Sequence, residues 1–299
     1  METKRSKRAG ATREKASPKK SFCFSPPEKV RIISICNQKG GCGKTTTAIN
    51  VAAGLAKIGQ RVLLIDLDSQ CNATTGLGIN LLDVEKSIFD LLVDYKKTTL
   101  EDVLLETQYE NLHIAPGSIE LSEFESRMAG EIGRENRLKK ALLPLFPLYD
   151  FILIDTPPSL GLLSINALNA SSEVMIALQA HPFAFDGLKL LLETISLIQE
   201  ELNPSLKVSG LVVTMFDSRT KISREIFDKV NTMKELEGVV YKTTIRQNIR
   251  IAEAAKVRKS ILHFDPICTG AIDYKKLSEE ICLQNISNEL KPKANLKSI

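Results

Sequence analysis

Residues 37–50 read NQKGGCGKTTTAIN, and their types suit one kind of chemistry, the holding of phosphate. Gly40, Gly41 and Gly43 let backbone amides converge on phosphate oxygens with no Cβ in the way. Lys44 supplies a cation for the terminal phosphates, Thr45 a hydroxyl for Mg2+, and Thr46 a hydroxyl that can reach the α-phosphate. A second cation, Lys39, stands five residues before Lys44. One lysine is enough to neutralise the terminal phosphates, so Lys39 has no evident task in its own loop. Cys42 lies in the same turn, either as a reactive thiol or as a small side chain that the turn tolerates.

Acids follow at the ends of two apolar runs. RVLLIDLDSQCNAT (61–74) carries Asp66 and Asp68, and DFILIDTPPSLG (150–161) carries Asp155. Asp66 and Asp68 are two apart, so both project to the same side of an extended chain. Asp155 fits a Walker B acid that holds Mg2+ through a water. Any single strand-end aspartate could instead cap a helix. Three acids at two strand ends beside a phosphate loop argue for a joint site, because ligands of open α/β sheets collect at the carboxyl ends of strands.

The elements that must position these residues are legible as short apolar runs alternating with helical stretches. The runs are 31–36, 61–66, 111–116, 150–155, 173–178, 209–215 and a weaker one at 239–245. Helical patterns fall near 44–58, 87–94, 119–143, 161–170, 185–202, 221–235 and 272–289. Runs rich in β-branched residues are strands buried on both faces, and their alternation with helices predicts a doubly wound, mostly parallel sheet flanked by helices. RIISIC, the glycine-rich turn and the helix that ends at Gly59 give the strand–loop–helix context of a P-loop NTPase. One domain is expected over 30–290.

The loop departs from G-x-x-x-x-G-K-[ST], since the first glycine position holds Gln38 and Lys39 follows it. The pattern K-G-G-x-G-K-[ST] resembles the deviant Walker A motif of the ParA/MinD/Soj-type ATPases. With GRENRLKKAL (133–142), SINALNASS (164–172), VTMFDSRT (213–220) and IRQNIRIAEA (245–254), the chain is most similar to the ParA/Soj partition proteins over about residues 30–285. The resemblance implies ATP and Mg2+ as ligands, slow intrinsic hydrolysis, and a homodimer with ATP sandwiched between subunits. It implies that Lys39 crosses to the partner's phosphates. It also implies that Asp68 orients or deprotonates the attacking water while Asp66 supports the Mg2+ shell, and that Thr214 and Met215 lie near the adenine. Three departures stand out. Ser69 replaces a proline, Arg246 stands where a proline would pack on the base, and Gln247 replaces an arginine.

In the resembling proteins the ATP dimer offers basic side chains to non-specific double-stranded DNA. Arg219, Arg250 and Arg246 are the matching candidates, with Lys256, Arg258 and Lys259 nearby. A ParB-like partner would trigger hydrolysis, and chromosome or plasmid segregation would follow in the bacterial cytoplasm, at the nucleoid. The alternative is a MinD-like or cargo-positioning ATPase that acts on a protein or membrane surface. A nucleotide-binding scaffold without significant hydrolysis is a third reading. The iron protein of nitrogenase shares the loop but needs two cluster cysteines, and no cysteine lies between Cys71 and Cys268.

The bulk composition narrows the setting. The chain has 299 residues and a formal charge of +4, but residues 1–20 hold eight Lys/Arg against two Glu, so the remainder is slightly acidic. Residues 1–29 read as a disordered basic tail, able to hold nucleic acid electrostatically or to be a solvated leader. Residues 291–299 read as a flexible end. The six cysteines match no zinc or disulfide framework and read as reduced thiols. No apolar run is long enough to span a bilayer. Glutamates 279, 280 and 289 argue against a lipid-binding end, so no membrane partner is expected.

Overall fold

The computed structural model describes residues 29–287. The basic segment up to residue 28 and the end segment 291–299 lie outside them, as does the last part of the helix expected over 272–289.

Seven strands form one sheet: β1 (Arg31–Cys36), β2 (Val62–Asp66), β3 (Leu105–Glu106), β4 (Leu112–Ala115), β5 (Phe151–Asp155), β6 (Glu173–Gln179) and β7 (Lys207–Thr214). Their order is β3-β4-β2-β5-β1-β6-β7. Every pairing is parallel except that of the two-residue edge strand β3 with β4. The helices are α1 (Lys44–Lys57), α2 (Asn72–Gly76), α3 (Ile88–Val93), α4 (Phe124–Arg127), α5 (Arg137–Leu142), α6 (Leu162–Ala170), α7 (Ala184–Glu201), α8 (Lys221–Thr232), α9 (Ile249–Lys256), α10 (Ile261–Phe264) and α11 (Thr269–Ser287).

Helices cover both faces of the sheet, which is why the inner strands are apolar at nearly every position. On one face, Ile33, Ile35, Leu64 and Leu153 pack with Ala48 and Leu55 of α1, Ala254 of α9, Leu262 of α10 and Leu277 of α11. On the other, Ile32, Leu63, Ile65 and Ile152 meet Leu91 of α3, Phe124 of α4, Leu138 of α5 and Ala167 of α6. Toward the β7 edge, Ile176 and Val213 meet Leu191 of α7 and Ile226 of α8. Neighbouring residues of one strand thus serve opposite cores, as the period of two demands.

α1 can approach α11 closely because of Gly54. Ser278 Oγ fills the space that a Cβ at position 54 would need. α11 is also tied to the sheet by Arg31 of β1. This arginine donates to Glu173 from Nε at 2.7 Å and to the carbonyl of Ile281 at 2.5 Å.

Two expectations are corrected. The run 239–245 is no strand. It follows β7 and Phe216 just beyond it through isolated bridges at Val240 and Arg246, and the Ile245 amide donates to the Val213 carbonyl at 2.9 Å. Between them the amides of Lys242 and Thr243 turn away and donate to the Glu280 carboxylate of α11, at 2.8 and 3.1 Å. The stretch 119–143 is not one helix. Gly130 and Gly133 adopt φ of 82° and 71°, which breaks it into α4, a loop and α5. The short elements β3, α2, α9 and α10 carry too little pattern to be predicted.

Candidate active site

The phosphate loop leaves β1 at Cys36 and enters α1 at Lys44, and neighbouring strands pin it in place. Asn37 donates to the Ala177 carbonyl of β6 at 2.6 Å, and its Oδ1 accepts the Lys39 amide at 3.0 Å. Thr214, at the end of β7, donates its hydroxyl to the Cys42 carbonyl at 2.7 Å. Thr156 does the same to the Ile35 carbonyl at 2.8 Å. Gly41 and Gly43 hold φ of 73° and 90°, values at which a side chain would be strained. The loop therefore keeps its shape through its own backbone, the Asn37 side chain and two threonine hydroxyls.

The two lysines separate. Lys44 is buried, and its Nζ donates back to the Lys39 carbonyl at 3.3 Å, beneath the loop. The Lys39 side chain goes the other way, to the turn after β6, where its Nζ lies 3.3 Å from His181 Nδ1. A cleft of about 370 Å³ opens beside it, lined by Asn37, Gln38, Lys39, Phe183 and Asp186. Cys42 is buried, and burial holds its thiol above the ordinary range even beside Lys44. Both observations favour the tolerated small side chain over a reactive thiol.

The three aspartates converge but differ in state. Asp66 and Asp155 are register partners on β2 and β5, and β5 pairs with β1. Both carboxyls are buried. Neither oxygen of Asp155 has a hydrogen-bond partner among the described residues. Burial raises its pKa well above the carboxylate range, the Asp66 charge adds to that, and the Thr45 hydroxyl and Lys44 ammonium oppose it. A buried carboxylate with two open oxygens, next to a threonine hydroxyl, fits a hard divalent cation.

Asp66 is occupied otherwise. Its Oδ2 accepts the Thr74 amide and hydroxyl at 2.8 and 2.7 Å, and its Oδ1 accepts the Asp68 amide at 3.2 Å. Its pKa is pushed up to about 6, mainly by burial, against the Thr74 hydrogen bonds. Both oxygens are engaged within the protein, and these bonds fix the loop after β2. Asp68 stands half-buried at the mouth of that loop, its Oδ1 accepting the Gln70 amide at 3.0 Å. Gly117 closes the arrangement by donating its amide to Thr74 Oγ1 at 2.9 Å. Position 117 has no room for a side chain, since a Cβ there would stand 3.0 Å from the Asp66 carboxyl carbon. Neither Thr74 nor Gly117 stands out in the sequence. A threonine eight residues past a strand-end acid is the only signal.

Thr45 and Thr46 open α1, directly after the loop. Met215 follows β7 at φ 51° and is partly exposed, while Thr214 is spent on the loop. Each predicted arginine has a carboxylate partner: Arg219 with Asp217, Arg246 with Asp273, and Arg250 with Asp265 and Glu253. The Arg246 pair places its guanidinium against α11, and the Arg250 guanidinium stacks on Phe264. Lys256, Arg258 and Lys259 are exposed and form no ion pair among the described residues. No helix among those residues is long and apolar enough to cross a membrane.

Known proteins resemble this chain in sequence and fold. A family model described as an AAA domain matches residues 30–208. The chain is 46% identical to the sporulation initiation inhibitor protein Soj of Bacillus subtilis, over 84% of this chain and 98% of that protein. It is 40% identical to the chromosome partitioning protein ParA of Myxococcus xanthus, over 84% and 87%. Among solved structures, cobyrinic acid a,c-diamide synthase of Mycobacterium smegmatis with a bound ATP analogue and magnesium superposes with a TM-score of 0.74. It is 32% identical and covers 88% of this chain and 98% of its own. The predicted doubly wound fold and the deviant loop thus agree with sequence and structure alike, and the chain belongs to the ParA/Soj family of chromosome-partitioning ATPases.

Proposed function

We propose that this protein is an ATP-dependent dimerising switch that binds non-specific double-stranded DNA and drives chromosome or plasmid segregation, with hydrolysis stimulated by a ParB-like partner. The observation that carries the reading is the divergence of the two lysines. Lys44 is buried under its own loop, whereas Lys39 leads away into an open cleft. A cation placed there suits the phosphates of a second copy, in the manner of an arginine finger.

The remaining roles follow from position. The amides of residues 40–46 and the Lys44 ammonium receive the phosphates at the positive end of α1. Thr45 and Asp155 would hold Mg2+, in line with the ATP analogue and magnesium of the Mycobacterium smegmatis protein. Bound Mg2+ lowers the charge that a water must approach. Asp68 orients that water, and Asp66 keeps Asp68 in place. Thr46 and Met215 flank the remainder of the nucleotide. Arg219 and Arg250, with Lys256, Arg258 and Lys259, would meet DNA phosphates, and Arg246, held on Asp273, would contribute least, so the protein would work at the bacterial nucleoid.

Retention of DNA by the purified protein, with ATP against ADP and at two salt concentrations, tests the reading beside Lys39→Ala. Salt-sensitive retention with ATP alone, lost in the variant, supports it; binding to phosphate weakens steeply with salt. Retention without regard to nucleotide refutes the switch. The ion pairs at Arg219, Arg246 and Arg250 favour one competing reading, a positioning ATPase acting on a protein or membrane surface. ATP dimers that hold no DNA would support that reading.

A further inference from the structure

We infer that His181 is a positioning residue: its imidazole parks the Lys39 ammonium on its own subunit and so sets how readily two ATP-loaded copies join. The inference rests on the reading of Lys39 as the lysine that crosses to the partner.

Both ends of the contact are fixed by backbone. Asn37 anchors the Lys39 amide, and Asn37 is itself tied to β6. His181 sits in the tight turn between β6 and α7. Its amide donates to the Gln179 carbonyl at 2.8 Å, and its own carbonyl accepts the Ala184 amide at 2.9 Å. The imidazole leans on the Phe183 ring, with centroids 5.7 Å apart. Only the lysine side chain is left to move, and the cleft in front of it provides the space.

The chemistry of the acceptor decides the strength of the hold. An ammonium can only donate, so Nδ1 must present its lone pair and the ring must be neutral, with its proton on Nε2. Lys39 forms no ion pair among the described residues, although Asp186 lines the same cleft. A carboxylate partner would hold the ammonium more tightly than a neutral imidazole does. A phosphate is a charged acceptor and outcompetes the imidazole once a second nucleotide is in reach. The His181 contact is therefore strong enough to order Lys39 in the single subunit and weak enough to be given up.

A two-fold dimer must break this contact twice, once per subunit. Each part-buried hydrogen bond of this kind is worth about five-fold in an equilibrium. Loss of both should therefore tighten the dimer on the order of 25-fold.

The test is sedimentation velocity of the full chain over a range of protein concentrations, with Mg2+ and a non-hydrolysable ATP analogue. His181→Ala should dimerise at concentrations about 25-fold lower than the parent. His181→Asn puts an amide oxygen near the place of Nδ1 and should behave like the parent, which separates the acceptor from the mere bulk of the ring. Lys39→Ala should remain monomeric, and so should Lys39→Ala combined with His181→Ala. If His181→Ala dimerises like the parent or more weakly while Lys39→Ala stays monomeric, the parking role is overturned and the crossing lysine stands. If the double variant dimerises, His181 acts without Lys39 and the inference is likewise overturned. If Lys39→Ala alone dimerises like the parent, the crossing lysine and its parking place fall together.

Discussion

Thr74 gives both its amide and its hydroxyl to one oxygen of Asp66, at 2.8 and 2.7 Å, inside a fully buried site. The same hydroxyl accepts the amide of Gly117, so the loop after β2 and the loop after β4 are fastened at one atom. Thr74→Val keeps the side-chain shape but removes the donor to Asp66 and the acceptor for Gly117. Denaturant unfolding should register a loss of about 1–3 kcal/mol, the usual result of leaving buried polar groups unsatisfied. Hydrolysis should fall as well, because Asp68 hangs on Asp66 through its amide. An unchanged unfolding midpoint would show that the fastening contributes nothing.

Among the described residues only nearby Lys44 and Thr45 favour the ionised form of Asp155, and burial raises its proton affinity. Asp66 moves in the same direction, from 3.8 to about 6. For an acid raised on folding, the unfolded chain loses its proton first. The associated stability is full below about pH 3.8 and is lost as pH rises through about 6 for Asp66, with Asp155 adding in the same sense. Metal-free Asp155→Asn should therefore melt higher than the parent at neutral pH, and the gap should close below about pH 4. Magnesium with ATP should raise the melting temperature of the parent but not of the variant.

Asp68→Ala should separate binding from hydrolysis. Asp68 lies at the mouth of its loop and bears no core packing that its removal would break. Turnover should drop by a factor of about 10² or more, the ordinary contribution of a positioned acid–base group. ATP-dependent dimers should still form and should last longer. Turnover equal to that of the parent would mark the protein as a nucleotide-binding scaffold.

The arginines matched to the family are neutralised by carboxylates, and the unpaired cations lie just beyond α9 or at its end. A combined Lys256→Ala, Arg258→Ala and Lys259→Ala variant should therefore weaken DNA retention more than Arg246→Ala does. The slope of log affinity against log salt should fall by about 0.9 for each DNA phosphate that is no longer neutralised. Arg246→Ala should chiefly cost stability, since it strands the buried Asp273 carboxylate.

Much of this is legible without the structure. The six strong strands can be read within two residues, because a strand buried on both faces leaves a continuous apolar run in the chain. Loops constrained by chemistry are readable too, since few residues can replace the glycines, Lys44 or Thr45. Roles that depend on partners distant in sequence are not. Asp66 and Asp155 look alike as strand-end acids, and only the spatial neighbours differ: Thr74 bonds to one, whereas the other has Lys44 and Thr45 nearby. The apolar run at 239–245 reads as a strand, but Glu280, some forty residues later, claims two of its amides. The charge of Arg246 is visible in the sequence, and its partner Asp273 is not.

The close approach at Gly54 limits where news of nucleotide binding can travel. With Ser278 seated against its backbone, and Asn50 tied to Ser260 and Ile261 at 2.9 and 2.8 Å, α1 is clamped along its length by α10 and α11. A helix held in that way cannot act as a piston. What the phosphate loop senses is passed more readily through the loops that follow β2, β5, β6 and β7, which carry Asp68, Thr156, His181 and Met215. The α1 side of the molecule is its chassis, and the signalling parts are confined to the rim formed by the carboxyl ends of the strands.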